Sequence, residues 1–505
     1  MVEKLPRFNA AGHTGDLIAG ASVAVVLIPQ SLAYAALAGL PPNRGLYVAA
    51  LAPLTAALFA SSPYLGTGPT AVTSLLALGG LAAIAQPGDA DYVALAALLA
   101  VLVGVIRVIL GVTRSGVIAY LMSGAVVVGF TSGVAMVIIA SQIPTVLGVR
   151  AGEGHFLEVA LRTASQPSEW DPFALSLAVL AGLAIAGGRK LHRHFPGVLV
   201  AVGAAIICSR VVGYTGPVVG RLSDVLPSLS LGLPWAATPQ LLAPALVIGL
   251  LGFAEPASIA RKYATLDRQH WNPNRELIAQ GAANLAAGVA GGFPVGGSFS
   301  RTSLARSLKA KTRLSGAVTG LVVLAFLPFA SVLAPMPFSV LGAIIIVSVI
   351  DLVQLKPFLE LRSYTKLQFR IAVLTFVLTI AFAPHVERGV IAGISLAIGA
   401  HLWRELRILV PTSTTGRTLH LEPKGVLYFA SGPGLEDAFS KLLHEHPKAD
   451  RLVIHLDGLG RIDLSGALVI RGLKRDAEEA GLEVEIVDVP PQSSKIMERV
   501  IDPPQ

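Results

Sequence analysis

The sequence predicts an α-helical protein that crosses a membrane many times and carries a small α/β domain near its C-terminus. Of its 505 residues, 53% are hydrophobic and 14% are charged, whereas about 25% of the residues of soluble domains are charged. Apolar runs recur between Asp16 and Leu409, and their lengths predict about a dozen to fourteen helices. Beyond Val410 the pattern changes to alternating short strands and helices, which is typical of a small α/β domain.

The distribution of charge predicts the orientation of the membrane part. Residues 411–505 carry 11 Lys and Arg against 15 Asp and Glu, whereas the preceding residues carry 28 against 16. The basic excess lies in certain loops, and the loops between them lack it, which is the positive-inside pattern and not a nucleic-acid surface. We therefore expect the N-terminus, the C-terminal domain and the basic loops to be cytoplasmic. The basic loops are residues 189–193, 261–275, 306–313 and 356–370.

The sequence offers little for metal or covalent chemistry. Its single cysteine, Cys208, excludes an intramolecular disulfide and a cysteine-built metal site. No nucleophile–base pair or metal-ligand set is evident, so we expect no enzyme, no metal and no organic cofactor. No small-residue cleavage site follows the first apolar segment, so we expect this segment to remain as a helix.

An internal repeat divides the membrane part into two halves. Residues 43–71 (NRGLYVAALAPLTAALFASSPYLGTGPTA) align with residues 274–302 (NRELIAQGAANLAAGVAGGFPVGGSFSRT), and this alignment places Thr67 on Ser298. Proline and glycine landmarks match in the same order. Each half has room for about seven helices, and an odd number of spans inverts the second half relative to the first. Inverted repeats with Gly/Pro-broken segments at matching positions are typical of secondary transporters.

The broken segments suggest an anion site. Gly66–Thr70 (GTGPT) and Gly296–Ser300 (GGSFS) each open a helix within the apolar region. The first turn of a helix has unpaired backbone N–H groups and the positive end of the helix dipole, so it attracts anions. In an inverted repeat the two N-termini converge near the bilayer midplane, and we hypothesise that they form one pocket. The alternative is that both segments are ordinary turns at the membrane surface.

Glu255 is the lone acid between Leu241 and Ala260. A carboxylate in such a run is costly unless it faces a cavity, a partner or a proton. We expect it to couple proton binding to transport; the alternative is a structural acid paired with a basic residue such as Arg301.

Three further side chains are candidates for the pocket or its supports. Arg301 either places a cation behind the start of its half-helix or snorkels to the surface. Gln30 and Tyr34 follow Pro29, which frees a carbonyl one turn earlier, so they are expected to line a cavity; interfacial anchoring is the alternative for Tyr34. Phe299 caps the pocket or packs as an ordinary aromatic residue.

These motifs resemble the sulfate permease family, also called solute carrier family 26, over nearly the whole chain. IPQSLAYA resembles the family's first-helix signature, and ELIAQGAANLAAGVAGGFPVGGSFSRT resembles its ninth-to-tenth-helix signature. HLDGLGRIDLSGALVI resembles its cytoplasmic STAS domain. In the tail, DLSG stands where regulatory relatives have DSSG. Ser465 is therefore first a predicted N-cap and only second a regulatory phosphorylation site.

The resemblance implies a fold and a site. It implies seven plus seven inverted helices divided into a core and a gate domain, a homodimer, and elevator-like movement of the core against the gate. It also implies an anion bound between the third and tenth helices. Many animal members have a basic residue where this chain has Ser-Phe-Ser. The pocket positions that result are Gln30, Tyr34, Thr67, Gly68, Pro69, Thr70, Glu255, Gly297, Ser298, Phe299, Ser300 and Arg301.

The sequence thus predicts a secondary transporter of small anions of the sulfate, bicarbonate or dicarboxylate class in the inner membrane of a bacterium. H⁺ is the expected coupling ion, with Na⁺ as the alternative. The rival functions are a nucleobase-type proton symporter of the same fold and an anion channel or exchanger. We expect the STAS domain to be a scaffold or to bind a regulatory protein or another subunit. The expected divisions are residues 1–410 for transport, with repeats at 14–212 and 241–410, a linker at 411–416, and the STAS domain at 417–505.

Overall fold

The computed structural model describes residues 10–117, 123–150, 152, 154–191, 195–222, 227, 229–230, 232–405 and 408–501. The chain divides into two compact units, Met1–Ile394 and Ser395–Gln505. The first unit is helical apart from two three-residue strands, and the second is an α/β domain.

The first half of the helical unit contains eight helices and one short strand. Polar or glycine- and proline-rich sequence ends most of them, as at Gly39 and Gly213, which both have positive φ angles that favour glycine. The elements are α1 (Ala10–Leu37), α2 (Pro42–Phe59), β1 (Gly66–Gly68), α3 (Ala71–Leu81), α4 (Tyr92–Val112), α5 (Gly124–Val146), α6 (Phe156–Ala164), α7 (Pro172–Leu191) and α8 (Gly197–Val212).

The second half repeats this order element by element. The long proline-containing helix comes first in each half, a three-residue strand precedes the third helix, and a short helix precedes the last two. The elements are α9 (Thr238–Leu266), α10 (Pro273–Val289), β2 (Gly296–Ser298), α11 (Phe299–Ser307), α12 (Leu314–Phe326), α13 (Phe338–Val349), α14 (Leu355–Tyr364), α15 (Lys366–Ala381) and α16 (Val386–Glu405).

The predicted seven-plus-seven architecture is confirmed. Setting aside the short helices α6 and α14, the described part of each half supplies seven helices, and α1 to α8 correspond in order to α9 to α16. Among the described residues, six apolar stretches are long enough to cross a membrane by themselves: His13–Leu37, Tyr92–Val112, Gly124–Val146, Trp235–Leu266, Leu314–Leu333 and Phe338–Tyr364. The half-helices α3 and α11 are far shorter than a membrane span, as the broken segments predicted.

The helices pack as two groups. The core group comprises α1 to α4 and α9 to α12, and the gate group comprises α5 to α8 and α13 to α15. The start of α16 joins the gate group through α15, since a Cβ atom on Gly389 would lie 2.5 Å from Cα of Thr379. Helices α4 and α10 pack most closely within the core. A Cβ atom on Gly104 would lie 2.8 Å from the backbone nitrogen of Leu285, and one on Gly288 would lie 2.6 Å from the carbonyl oxygen of Ala97. Small residues thus allow the close helix contacts that substitute for hydrophobic driving force inside a bilayer.

The second unit contains the strands and helices of the C-terminal α/β domain. The strands are β3 (Thr412–Thr415), β4 (Thr418–Leu421), β5 (Gly425–Leu427), β6 (Arg451–His455), β7 (Leu459–Ile462) and β8 (Glu483–Val487), and the helices are α17 (Gly432–Glu445), α18 (Leu464–Glu479) and α19 (Ser494–Ile501). One sheet has the order β3-β4-β6-β8, with β4, β6 and β8 parallel, and β5 pairs with β7. Leu421, Leu452, Ile454 and Ile470 lie in its core.

Two details of this unit differ from the sequence reading. Residues 412–415, within the predicted linker 411–416, form a strand paired antiparallel with β4, because threonines favour extended backbone and Gly416 permits the turn. The N-cap of α18 is Asp463, whose carboxylate accepts the amide of Gly466 at 2.8 Å, and not Ser465. An acidic side chain both fills the cap and complements the helix dipole. Ser465 lies in the first turn, and its regulatory role stays a prediction.

Candidate functional site

Strands β1 and β2 join the two halves at their broken segments. They pair antiparallel, with Gly66 opposite Ser298, Thr67 opposite Gly297, and Gly68 opposite Gly296. Because the strands are antiparallel, α3 and α11 follow the two-stranded ribbon at its opposite ends. The ribbon therefore brings the N-termini of both half-helices into one region of the core.

Thr302 fastens α11 to this ribbon. Its hydroxyl accepts a hydrogen bond from the amide of Gly66 at 3.0 Å and donates to the carbonyl of Ser298 at 2.6 Å. A Cβ atom on Gly66 would lie 2.7 Å from Cβ of Arg301. Glycine is therefore required where the strand passes the helix.

The first turns of both half-helices retain backbone donors without partners. Thr70 caps α3 by accepting the amide of Thr73, and Ser298 caps α11 by accepting the amide of Arg301. On each helix two backbone amides lie between the N-cap and the capped amide. The described part of the chain provides no acceptor for them, which is the usual condition of a first helical turn. These amides belong to Ala71, Val72, Phe299 and Ser300.

The two helix starts do not match residue for residue in the alignment of proline and glycine landmarks. That alignment places Thr67 on Ser298, whereas the N-caps of α3 and α11 are Thr70 and Ser298. Pro69 and Thr70 separate β1 from α3, but α11 follows β2 directly. Pro69 accordingly lies before the N-cap and not within the first helical turn.

Arg301 lies in the second half of the chain, and its side chain binds backbone carbonyls of the first half. Its Nη2 atom donates to the carbonyl oxygen of Pro69 at 3.0 Å and to that of Gly66 at 3.4 Å. The side chain is only 1% exposed, so it does not snorkel to the surface. The guanidinium therefore places positive charge beside the segment that leads into α3.

Gln30 and Tyr34 are also near this arginine. The amide oxygen of Gln30 accepts from Nη1 of Arg301 at 3.5 Å, and its Nε2 donates to Oγ of Ser348 on α13 at 3.1 Å. Gln30 thus connects the core group to the gate group. Tyr34 is buried, which excludes an anchoring position at the membrane interface.

A cavity of about 340 Å³ opens beside the start of α11. Its core wall includes Gln30, Phe299, Ser300 and Arg301, and its gate wall includes Pro196, Val198 and Asp351 from the ends of α7, α8 and α13. The remaining predicted pocket residues do not line this cavity. These are Tyr34, Thr67, Gly68, Pro69, Thr70, Glu255, Gly297 and Ser298.

Two of the residues away from the cavity, Thr67 and Gly297, support the ribbon that carries its wall. Thr67 is buried and accepts a hydrogen bond from Nε2 of Gln280 at 2.8 Å. A Cβ atom on Gly297 would lie 3.0 Å from Cβ of Pro256, so the ribbon packs directly on α9. Gly68 has a φ angle of +151° that favours glycine.

Glu255 lies on α9, one residue before Pro256, and is partly exposed. Its carboxyl group interacts electrostatically with Arg301, but within the described chain the structure records neither a hydrogen bond nor an ion pair for it. The structure therefore shows no direct contact between Glu255 and Arg301, and the role of Glu255 in proton coupling stays a prediction. A carboxyl group without a fixed partner is able to take up a proton.

Phe299 serves packing as well as the cavity wall. Its ring stacks on Tyr263 with centroids 5.9 Å apart, and the ammonium of Lys262 lies 4.8 Å from its centroid. The side chain is still 41% exposed. Phe299 therefore both packs as an ordinary aromatic residue and forms part of the cavity wall.

One face of α10 supports the ribbon, and sequence reasoning missed it. Glu276 accepts the amides of Ser61 and Ser62, Gln280 donates to Thr67, and Asn284 pairs with both backbone groups of Val295. The three side chains are fully buried. Their spacing of four residues is the signal that could have identified them, because it places polar groups on one helix face.

Arg107 on α4 is a second buried cation that the sequence reading missed. It donates to the carbonyls of Gly249, Ile248 and Val295 at 2.9 to 3.1 Å. A Cβ atom on Gly252 would lie 2.6 Å from its Nη2 atom. The sequence pattern that could have identified it is a lone cation inside an apolar run, because a charged residue is rarely placed there without a functional or structural role.

Comparison with known proteins agrees with the architecture. A model of the sulfate permease family matches residues 14–375, and a model of the STAS domain matches residues 410–501. A probable sulfate transporter of Mycobacterium tuberculosis (strain H37Rv) is 36% identical over 394 residues, which cover 76% of this chain and 69% of that protein. A putative sulfate transporter of Bacillus subtilis is 28% identical over 509 residues, which cover 97% and 94%.

Two solved structures share the fold. A murine solute carrier 26 family anion transporter in the inward-facing state superposes with a TM-score of 0.88 at 19% identity, covering 98% of this chain and 89% of that one. The transmembrane domain of a cyanobacterial bicarbonate transporter gives a TM-score of 0.67 at 24% identity, covering 78% and 99%.

Proposed function

Because the chain belongs to the sulfate permease family, whose members are anion transporters and not enzymes, we propose that it takes up a small oxyanion by proton symport. Sulfate is the first candidate, because the relatives that match most of the chain are named as sulfate transporters. Bicarbonate and dicarboxylates are the other candidates. No metal or organic cofactor enters this proposal.

The observation that carries the proposal is the pairing of β1 with β2. This ribbon aligns two half-helix N-termini whose amides at Ala71, Val72, Phe299 and Ser300 have no acceptor in the described chain. Backbone donors with fixed positions bind an anion without the cost of ordering side chains. Ser300 and Phe299 already face the cavity.

The charges in and around the cavity favour binding of an anion together with a proton over binding of an anion alone. Arg301 is committed to Gly66, Pro69 and Gln30, and Glu255 and Asp351 add negative charge near it or on the opposite wall. An anion therefore binds best when Glu255 is protonated. Carrying one proton with a monovalent anion, or two with sulfate, also avoids work against an inside-negative potential, ~2.3 kcal/mol per charge at 100 mV.

Movement of the core group against the gate group would expose the site to each side in turn. The two groups have separate internal packing, and α1 contacts α13 and α8 while α3 contacts α5 across the boundary. The Gln30–Ser348 hydrogen bond also crosses this boundary. Such a sliding or elevator motion requires contacts like these to break and reform.

We further propose a homodimer in the inner membrane of a bacterium, with the N-terminus and STAS domain in the cytoplasm. The basic loops support this orientation. The STAS domain would then meet a regulatory protein or another subunit from the cytoplasmic side.

Proteoliposome uptake tests the transport proposal. Purified protein is reconstituted, a pH gradient with the acidic side outside is imposed, and uptake of labelled sulfate, bicarbonate and a dicarboxylate is measured separately. We expect accumulation of at least one anion against its gradient, which collapses when a protonophore removes the pH difference. If the accumulation of every tested anion is unaffected by the pH gradient, proton symport is wrong.

The same preparation separates the rival functions. Single-channel current steps in planar bilayers would favour a channel. Uptake of uracil or xanthine in place of every tested anion would favour the nucleobase-type symporter. Uptake driven by an Na⁺ gradient at equal pH would identify Na⁺, and not H⁺, as the coupling ion.

A further inference from the structure

A second cavity lies in the core group, beyond the residues proposed for transport. Its volume is about 590 Å³, and its lining includes Tyr64, Asp267, Arg306, Lys309 and Lys311. Three cations thus surround one carboxylate. We propose that this cavity is a second anion site that binds a tetrahedral oxyanion, either a free sulfate or phosphate ion or the phosphate of a lipid headgroup.

Arg306 is held in place on one wall. Its Nε and Nη2 atoms donate to Oδ1 of Asp267 at 3.1 and 2.7 Å, and Asp267 also accepts from the hydroxyl of Tyr64. The guanidinium lies 5.5 Å from the ring centroid of Tyr263. Its Nη1 atom has no acceptor among the described residues. A fixed guanidinium with one side unused is the usual means of binding an oxyanion.

Arg306 keeps Asp267 ionised, because it lowers the pKa of that carboxyl below its usual value. The carboxylate is therefore already paired with Arg306. The two lysines remain as uncompensated charges, and the cavity keeps a positive balance.

The loop that carries both lysines is fixed by a buried carboxylate on another helix. Oδ1 of Asp16 on α1 accepts the amides of Lys311 and Thr312 at 2.8 and 3.0 Å, and Oδ2 accepts the hydroxyl of Thr312 at 2.7 Å. Lys309 has a φ angle of +62°, a left-handed conformation that reverses the chain direction. The backbone from Lys309 to Thr312 is thus ordered without help from the lysine side chains.

The ammonium groups of Lys309 and Lys311 are available for a ligand. Both residues are exposed, and in the described chain neither ammonium has a hydrogen bond or an ion pair. Because the backbone of the loop is already ordered, an anion bound here would have to order only the two lysine side chains.

The second cavity is adjacent to the transport cavity. Ser303 and Ser307, one turn apart on α11, belong to the lining of both. An oxyanion held by the lysines would therefore lie across one helix from Ser300 and Arg301. This placement suits a loading site for substrate, or a contact that anchors the core group to anionic lipid.

The rate of lysine acylation shows whether an anion occupies the second cavity in the intact protein. Protein in nanodiscs of phosphatidylcholine is treated with an acetylating reagent, with or without sodium sulfate at constant ionic strength set by gluconate. Mass spectrometry gives the rate at each lysine. We expect sulfate at about ten times its dissociation constant to slow acylation of Lys309 and Lys311 by about tenfold, and to leave Lys356 and Lys366 on α14 and α15 unchanged.

A second arm tests the lipid source. The same labelling is done without sulfate in nanodiscs that contain phosphatidylglycerol. Protection of Lys309 and Lys311 by this lipid but not by sulfate assigns the site to a headgroup, and protection by sulfate assigns it to a free ion. If the two lysines react at equal rates in all conditions, or if Lys356 and Lys366 are protected equally, the proposed site is wrong.

Variants keep the test independent of transport. Lys311→Gln should shift the sulfate concentration that half-protects Lys309 upward by about tenfold, the loss of one charge-assisted contact, and Lys366→Gln should leave it unchanged. Ser300→Trp, which places a large side chain in the wall of the transport cavity, should also leave it unchanged. Loss of protection in Ser300→Trp would assign the effect to the transport pocket and overturn the second site.

Discussion

Arg301→Ala is expected to reduce anion transport to less than about 1% of the wild-type rate, because the two half-helices would lose the side chain that holds them in register. Arg301 donates to Gly66 and Pro69 on one side of the ribbon and to Gln30 on α1. Removing it leaves buried acceptors without donors, and each such group costs about 1–3 kcal/mol. The thermal midpoint of unfolding should fall as well.

Arg301→Lys separates position from charge. A lysine keeps the positive charge, but its compact ammonium cannot reproduce the planar fork that reaches two carbonyls and an amide oxygen. We expect it to recover part of the thermal stability and little of the transport. Arg362→Ala, at an exposed arginine on α14, is the matched control. Transport by Arg301→Ala within about twofold of this control would show that the arginine does not hold the site.

Glu255→Gln is expected to uncouple transport from protons. A glutamine keeps the size and polarity of the protonated acid but has no proton to bind or release. With an acidic exterior, wild-type protein should concentrate its anion by up to about tenfold per pH unit. Glu255→Gln should still exchange anion for anion, but it should not concentrate anion in response to the gradient.

The control for this variant is Glu360→Gln, at an exposed acid on α14. It should accumulate anion as the wild type does. If Glu255→Gln also accumulates anion to the wild-type level, Glu255 does not carry the coupled proton. If both variants and the wild type exchange anion without accumulation, the transporter is an exchanger.

Hydropathy and repeats predicted most of the membrane fold. The matching landmarks of residues 43–71 and 274–302 located both broken helices, which begin at Ala71 and Phe299. The two-stranded ribbon itself could not be predicted from local sequence. Its strands are only three residues long and have no alternating pattern, and pairing between the distant halves forms them.

The site was predicted in outline, but its internal contacts were not. The sequence identified Gln30, Ser300 and Arg301, which share one cavity. It did not show that Arg301 donates to backbone carbonyls, because every residue has a carbonyl and only the fold selects which ones face an arginine. Arg107 and the α10 face were missed for the same reason, although their polar character within apolar helices was visible.

Binding of selenate, a heavy-atom analogue of sulfate, tests the central claim most directly. Crystals of the wild-type protein grown with selenate would be measured at the selenium absorption edge. We predict an anomalous peak within hydrogen-bond distance of the backbone amides that begin α3 or α11, lost in crystals of Ser300→Trp, whose new side chain would stand in the cavity wall. A saturating selenate peak elsewhere in the molecule, with none beside these two helix starts, would contradict the account.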